Sequence, residues 1–213
     1  TASPWAVTMP SIWKQYFEGA DPLRQRVSFA LSQIFVISMN NNTVQDAPCG
    51  PANYLDILND GAFGNVRTLL KDVTLNPVMG EYLSMKESAK SDPVLQTQPD
   101  ENYAREVLQL FSIGLFRMWP DGTLVLNSKD SPVDTYSQRE IVGFAHVFTG
   151  WDYGYDGAFR TAFNAPADWT RQMREVPARH FTGPKRILNN EVLPGVQTVG
   201  SQPLDPFATH TAA

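Results

Sequence analysis

Apolar side chains recur at helical spacing along most of the first 150 positions of this chain. Over residues 21–38, Leu23, Val27, Phe29, Ala30, Leu31, Ile34, Phe35, Val36 and Ile37 cover nearly every direction of a helical wheel. That pattern predicts a helix in the middle of a bundle. Asp21 is suited to cap it, and Pro22 to its first position, where an amide would have no partner in the helix. A polar run at 39–43 and the turn-forming residues 46–51 break the helix. A shorter one follows over 52–59, stopped near Gly61. Asn65 caps the next, with Val66, Leu69, Leu70 and Val73 as its buried side. Asn76-Pro77 ends or kinks it, because the residue before a proline is pushed away from helical geometry. Pro77 then opens a short turn carrying Met79, Tyr82 and Leu83.

Residues 84–98 are polar with a proline at 93 and read as a surface loop. Beyond them Thr97 and Asp100 have the spacing of a capping box start, with Pro99 in the first turn and Gly114 as the stop. In this helix Tyr103, Ala104, Val107, Leu108, Leu110 and Phe111 fall on one side. Glu101, Asn102, Arg105, Glu106, Gln109 and Ser112 fall on the other. Residues 115–118 and 123–126 flank Trp119-Pro120-Asp121-Gly122, a turn composition that predicts a small hairpin. It is the one clear strand signal. Thr135 with Gln138, or Ser137 with Glu140, offers a capping box for a further helix ending at Gly150, with Ile141, Val142, Phe144, Ala145 and Phe148 turned inward. From Trp151 the periodicity is lost. The sequence therefore predicts a mainly α fold, an irregular multi-helix bundle with one small β-hairpin and long loops. Residues 1–213 form a single domain in this reading, with 151–213 an irregular segment wrapped on the helices.

With 42% hydrophobic and 11% aromatic residues, 213 positions suffice for one packed core. A net charge of −5 argues against nucleic acid as a partner, since phosphate binding requires clustered Lys and Arg. Arg24 and Arg26, the nearest approach to a basic run, read as capping or ion-pair groups at a helix start. Cys49 is the only cysteine, which excludes an intrachain disulfide and a cysteine-built zinc site. The chain opens without the basic and apolar regions of a signal peptide, and no apolar run is long enough to span a bilayer.

The candidate chemistry concentrates in residues 99–106. Asp100, Glu101 and Glu106 are the candidate acid, base or nucleophile, and Asn102 and Arg105 the candidate binding groups beside them. Glu101 with Arg105, and Asn102 with Glu106, are also i,i+4 pairs of the kind that merely face water, and that plainer role is favoured by spacing alone. Residues 152–163 resemble the start of a calcium loop, but Gly154 stands at its third position and Phe163 where a bidentate Glu is needed, so a turn is the expectation and no metal is assigned. His146, His180 and His210 are too scattered for a local ligand pair. No nucleophile elbow, phosphate-binding loop or dinucleotide fingerprint is present, and nothing calls for a cofactor. Paired carboxylates hydrolysing a glycosidic bond, with Trp119, Trp151, Tyr153 and Tyr155 stacking on sugar rings, form the catalytic alternative. Aromatics that anchor a loop-rich tail are the simpler account.

Four ordered blocks carry a resemblance: 21–38 (DPLRQRVSFALSQIFVIS), 62–83 (AFGNVRTLLKDVTLNPVMGEYL), 99–114 (PDENYAREVLQLFSIG) and 135–151 (TYSQREIVGFAHVFTGW). Together they resemble the bacterial domain-of-unknown-function-1800 family. His180, Gly183, Lys185 and Leu188 are similar to a family pattern of His followed by Asp, a Gly and a Lys, but Phe181 stands at the Asp position. The resemblance implies an exported bacterial protein, periplasmic or at the cell surface, of which this chain is a fragment. It implies as partner a sulfatase-like or phosphatase-like protein or a glycan, and adds Trp151, His180 and Lys185 to the candidate binding residues. An accessory or binding module at the cell envelope is the resulting expectation, with the carboxylate hydrolase as its alternative.

Overall fold

The computed structural model describes residues 5–39 and 41–195; His210 and the end of the tail lie outside them. Eight α-helices occur among the described residues: α1 (Trp5–Glu18), α2 (Pro22–Ile34), α3 (Asn42–Gln45), α4 (Cys49–Asp60), α5 (Val66–Leu75), α6 (Pro77–Tyr82), α7 (Asn102–Gln109) and α8 (Gln138–Val147). The starts of α2, α5, α6 and α8 carry side-chain caps. Asp21 Oδ1 accepts from Arg24 N at 3.2 Å, Asn65 Oδ1 from Arg67 N at 2.9 Å and Asn76 Oδ1 from Val78 N at 2.9 Å. Ser137 and Glu140 form the reciprocal box at the head of α8, each relieving amides that have no partner in the helix.

The core lies where α4 to α8 meet, around Tyr54, Leu58, Val73, Met79, Met85, Tyr103, Leu108, Ile141 and Phe148. Tyr103 is its hub. Its ring meets Phe148 edge-on at 4.9 Å, and its hydroxyl lies 2.6 Å from Thr74 Oγ1. Thr74 spends its one hydroxyl hydrogen on the Leu70 carbonyl at 2.6 Å, so Tyr103 is the donor to Thr74.

Several expectations are corrected. α2 does not sit in the middle of the bundle: Leu23, Phe29 and Ile34 are exposed, and the side it buries is Gln25 and Ser28. Its polar side is satisfied by α4, where Gln25 Nε2 donates to Asn59 Oδ1 at 3.1 Å and Arg24 Nη1 to the Asn59 carbonyl at 2.9 Å. Val66, the first residue of α5, and Leu110, just past the end of α7, are likewise exposed. Helix α1 has no counterpart in the expected elements. Its Trp13 and Tyr16 rings pack around Phe29 of α2, so aromatics at i and i+3 were the available signal.

The tail is less irregular than its lost periodicity implies. Strand β1 (Trp151–Asp152) pairs antiparallel with β2 (Arg174–Glu175). β3 (Lys185–Arg186) pairs with β4 (Val192–Leu193) in a second two-stranded sheet. These pieces are too short to show a period of two. They are fixed by backbone contacts to the bundle: Glu87 N donates to the Trp151 carbonyl at 2.7 Å, Met173 N to Leu75 at 2.7 Å and Lys90 N to Arg179 at 2.8 Å. β3 crosses α8 at Gly143, where a β-carbon would collide with the Arg186 carbonyl. Residues 153–163 form a loop after β1: Asp152 is buried and accepts from Tyr153 N at 2.7 Å and Ala165 N at 3.1 Å, while Asp156 pairs with Arg171 at 2.8 Å. No helix among the described residues is long and apolar enough to cross a membrane.

The predicted hairpin is a three-legged arm. Antiparallel bridges join Met118 with Leu124, Leu126 with Pro132, and Phe116 with Asp134. The amides of Arg117, Val125 and Val133 donate in a ring to the carbonyls of Val133, Arg117 and Val125 at 2.8, 2.9 and 2.9 Å. Gly122, at φ 85°, makes the first turn, a conformation that costs glycine no side-chain clash.

Candidate functional site

Helix α7 presents its inner face to the core through Tyr103, Ala104, Val107 and Leu108. Its outer, polar face is largely occupied by its own neighbours. Asp100 closes a turn just ahead of the helix, with Oδ1 accepting from Asn102 N at 2.8 Å, while its amide donates to Ser88 Oγ at 3.0 Å. The helix thus begins four residues later than the Thr97 capping pattern places it, because the Asp100 side chain bonds the backbone locally and Pro99 stays outside.

Glu101 and Arg105 pair at 3.2 Å, and both reach α8. Glu101 Oε2 accepts from Gln138 Nε2 at 2.7 Å, and Arg105 Nη2 donates to Gln138 Oε1 at 3.3 Å. This three-membered clasp joins the heads of α7 and α8 at a half-exposed position, the side chains of Arg105 and Glu101 being 41% and 36% accessible. Glu106 differs. Its Oε2 is shielded from solvent without a hydrogen-bond partner, as is the hydroxyl of Tyr136. Arg105 and Glu106 both act electrostatically on that phenol, whose pKa is raised mainly by desolvation.

The remaining named residues fall elsewhere. Trp151 is 8% exposed and its ring belongs to the core. Tyr153 and Tyr155 are buried too, so of the four aromatics named for stacking only Trp119 offers a face to solvent. No hydrogen bond or ion pair among the described residues joins Glu101, Arg105 or Glu106 to Trp151, His180 or Lys185.

His180 and Lys185 lie in a second polar group, built on the end of α8. Thr149 is buried there; its hydroxyl donates to the His146 carbonyl at 2.8 Å and accepts from Phe181 N at 2.9 Å. His180 Nδ1 lies 2.7 Å from the Thr149 carbonyl. A carbonyl can only accept, so Nδ1 carries the proton and Nε2 of the neutral ring holds the free lone pair. His146 is half-buried and stacks on Phe181 at 4.0 Å. The interaction joins residues 35 positions apart, which helix periodicity has no means of showing.

Both imidazoles have lowered pKa values. Desolvation is the leading cause in each; the Lys185 ammonium pushes both in the same direction and Lys90 adds to it at His180, while the bond to Thr149 acts the other way. A base with a lowered folded pKa binds protons more weakly in the folded state than in the unfolded one. Its contribution to stability is full above the ordinary histidine value of about 6.5 and is lost as pH falls through that value and the lower folded ones. The melting temperature, followed at constant ionic strength from about pH 7.5 to about pH 5.5, is therefore expected to fall before the carboxylates titrate. A flat profile would contradict the burial of these rings.

A groove of about 380 Å³ opens between α1, α2 and α4, lined by Gln15, Tyr16, Gln25, Ser28, Asp56 and Asn59 among others. It contains none of the residues named from the sequence, and their polarity, spread over three helices, gives no local motif.

A family model described as "Protein of unknown function (DUF1800)" matches residues 5–213. No curated protein and no solved structure matches the chain. The match spans the helices, the arm and the tail alike, and the chain belongs to the DUF1800 family of proteins of unknown function.

Proposed function

We propose that this chain is a non-catalytic binding module, acting outside the cytoplasm at the cell envelope, whose contact surface is the arm over residues 115–126. The observation that carries the reading is one apolar face on that arm. Phe116 and Met118 alternate with Arg117, and Leu124 and Leu126 alternate with Val125, so the four side chains share a side of the ribbon. Met118 and Leu126 are 57% and 51% exposed, Trp119 at the turn 59%. A ribbon closed by its own backbone bonds does not need these side chains for its fold, and contiguous exposed apolar surface marks an interaction site.

A protein partner fits better than a glycan. Sugar rings are held by flat aromatic platforms, and three of the four candidates for that role are buried. Aliphatic side chains around one Trp suit an apolar cleft on another protein. The exported setting follows from the family resemblance.

Met118→Ser/Leu124→Ser is the test. Surface substitutions of this kind should leave stability within about 0.5 kcal/mol, while co-purification of an envelope protein with the wild-type chain should be lost from the variant. Equal recovery from both, or retention on an immobilised glycan instead, would overturn the reading. The carboxylate hydrolase keeps one supporting observation, the unpartnered Glu106 oxygen beside Tyr136 and Arg105. Its test is turnover of aryl glycosides abolished in Glu106→Gln. Asp100 and Glu101 support it less, each being held by hydrogen bonds within the fold.

A further inference from the structure

Lys185 is 5% exposed on β3. An ammonium has three hydrogens to donate, and the acceptor within reach is the Gly183 carbonyl at a marginal 3.5 Å. Its other neighbour is the ring of Phe181, with Nζ 5.6 Å from the centroid. Among the described residues the opposite side of the electrostatic balance is empty. No carboxylate pairs with Lys185 among the described residues, and the charged groups that act on His146 and His180 are the ammonium groups of Lys185 and Lys90 alone.

Burying an ammonium without a counter-charge costs several kcal/mol after relaxation, and bringing further basic groups beside it adds repulsion. The fold gains little from the arrangement in return. Apolar side chains would fill the same space at lower cost, as replacements of buried charges commonly do. Two other buried charged side chains are matched: Lys86 meets Glu81 at 3.5 Å and Glu87 at 2.8 Å, and Asp152 is held by two backbone amides. Lys185, with His180 and His146 beside it and Lys90 at the surface, lacks such a match.

We propose that this cluster is a binding site for a small tetrahedral oxyanion, phosphate or sulfate, free or as a monoester. Lys185 supplies the buried charge, and the Phe181 ring links it to the half-buried His146, lying 5.6 Å from Nζ and 4.0 Å from the imidazole. His180 is pre-oriented to donate: with Nδ1–H held by the Thr149 carbonyl, a proton taken up at Nε2 gives a second donor pointing away from the backbone. Thr149, by bonding both the end of α8 and the 180–181 segment, fixes His146 and His180 relative to each other. Lys90, tied through its amide to the Arg179 carbonyl at 2.8 Å, adds long-range attraction at the rim. The site is separate from the arm and does not depend on the function proposed for it.

The test is titration of the whole chain with inorganic phosphate and with sulfate at about pH 6, where imidazoles can protonate, against sodium chloride of equal ionic strength. Heat is read by calorimetry and the His146 and His180 rings by NMR. Saturable binding that shifts both rings is expected. Lys185→Met should weaken it by about tenfold or more, a loss of about 1.4 kcal/mol, and should raise the melting temperature by removing a buried charge. The exposed Lys90→Gln, which carries no risk to folding, should weaken it a few-fold. Methyl phosphate that competes identifies a monoester as the ligand, and methyl phosphate that fails to compete identifies the free ion. Rings that respond no more to phosphate and sulfate than to chloride, or binding that persists unchanged in both variants, would overturn the proposal.

Discussion

Gly143→Ala is expected to destabilise the protein by about 3 kcal/mol or more, against the direction that helix propensity alone gives. In an exposed helix interior the same change is worth about 1 kcal/mol of added stability. Here α8 passes so close to β3 that a β-carbon on residue 143 meets the Arg186 carbonyl oxygen and carbon. The obstacle is backbone, so no rotamer change relieves it, and β3 would have to move off the helix. That movement would carry Lys185 away from His146 and His180. The expected result is therefore double: a lowered urea midpoint and loss of the ring contact between His146 and Phe181. A Gly143→Ala protein as stable as wild type, or more so, would show that the two backbones do not cross this closely.

The second large effect separates the two faces of α7. Tyr103→Ala should cost about 3–5 kcal/mol, since the side chain is almost wholly buried and touches both Phe111 and Phe148. Tyr103→Phe should cost about 1 kcal/mol, the worth of one hydrogen bond, because Thr74 keeps its own bond to the Leu70 carbonyl. On the outer face, Glu101→Gln or Arg105→Ala should cost under about 1 kcal/mol, as expected of a partly exposed ion pair. Equilibrium denaturation of the four variants reads the contrast directly. If Glu101→Gln proved as damaging as Tyr103→Ala, the clasp with Gln138 would be a buried clamp and α7 would be held from both sides.

These two effects also mark how far the candidate site was legible. The segregation of residues 101–112 into apolar and polar sides holds except at Leu110, and the Glu101–Arg105 pair forms at its i,i+4 spacing. What the spacing could not show is that Gln138, 37 residues from Glu101, completes the pair. Nor could it show that Glu106 turns one oxygen out of solvent while Glu101 does not. The grouping of His146 with His180 and Lys185 was invisible for a similar reason. His180 and Lys185 share one short stretch and were already grouped by the resemblance, but His146 lies on α8, and β3 must be laid across that helix before it joins them. Trp151 illustrates the opposite failure: an aromatic in a Gly- and Asp-rich stretch looks available for stacking, but its backbone bond with Glu87 draws it into the core.

The amino-acid sequence by itself determined the local units of this protein. Caps at Asp21, Asn65, Asn76 and Ser137, prolines at helix starts and the glycine turn at 122 are choices made within four or five residues, where side chain and backbone compete directly for the same hydrogen bonds. Tertiary structure alone decided which faces those units bury. Leu23 and Val66 are as apolar as Leu69, but burial depends on whether another element arrives, and α2 met a neighbour at Gln25 and Ser28 instead. It also decided where charge gathers, since the cluster around Lys185 and the clasp between α7 and α8 are each assembled from segments that contact only once the bundle has closed.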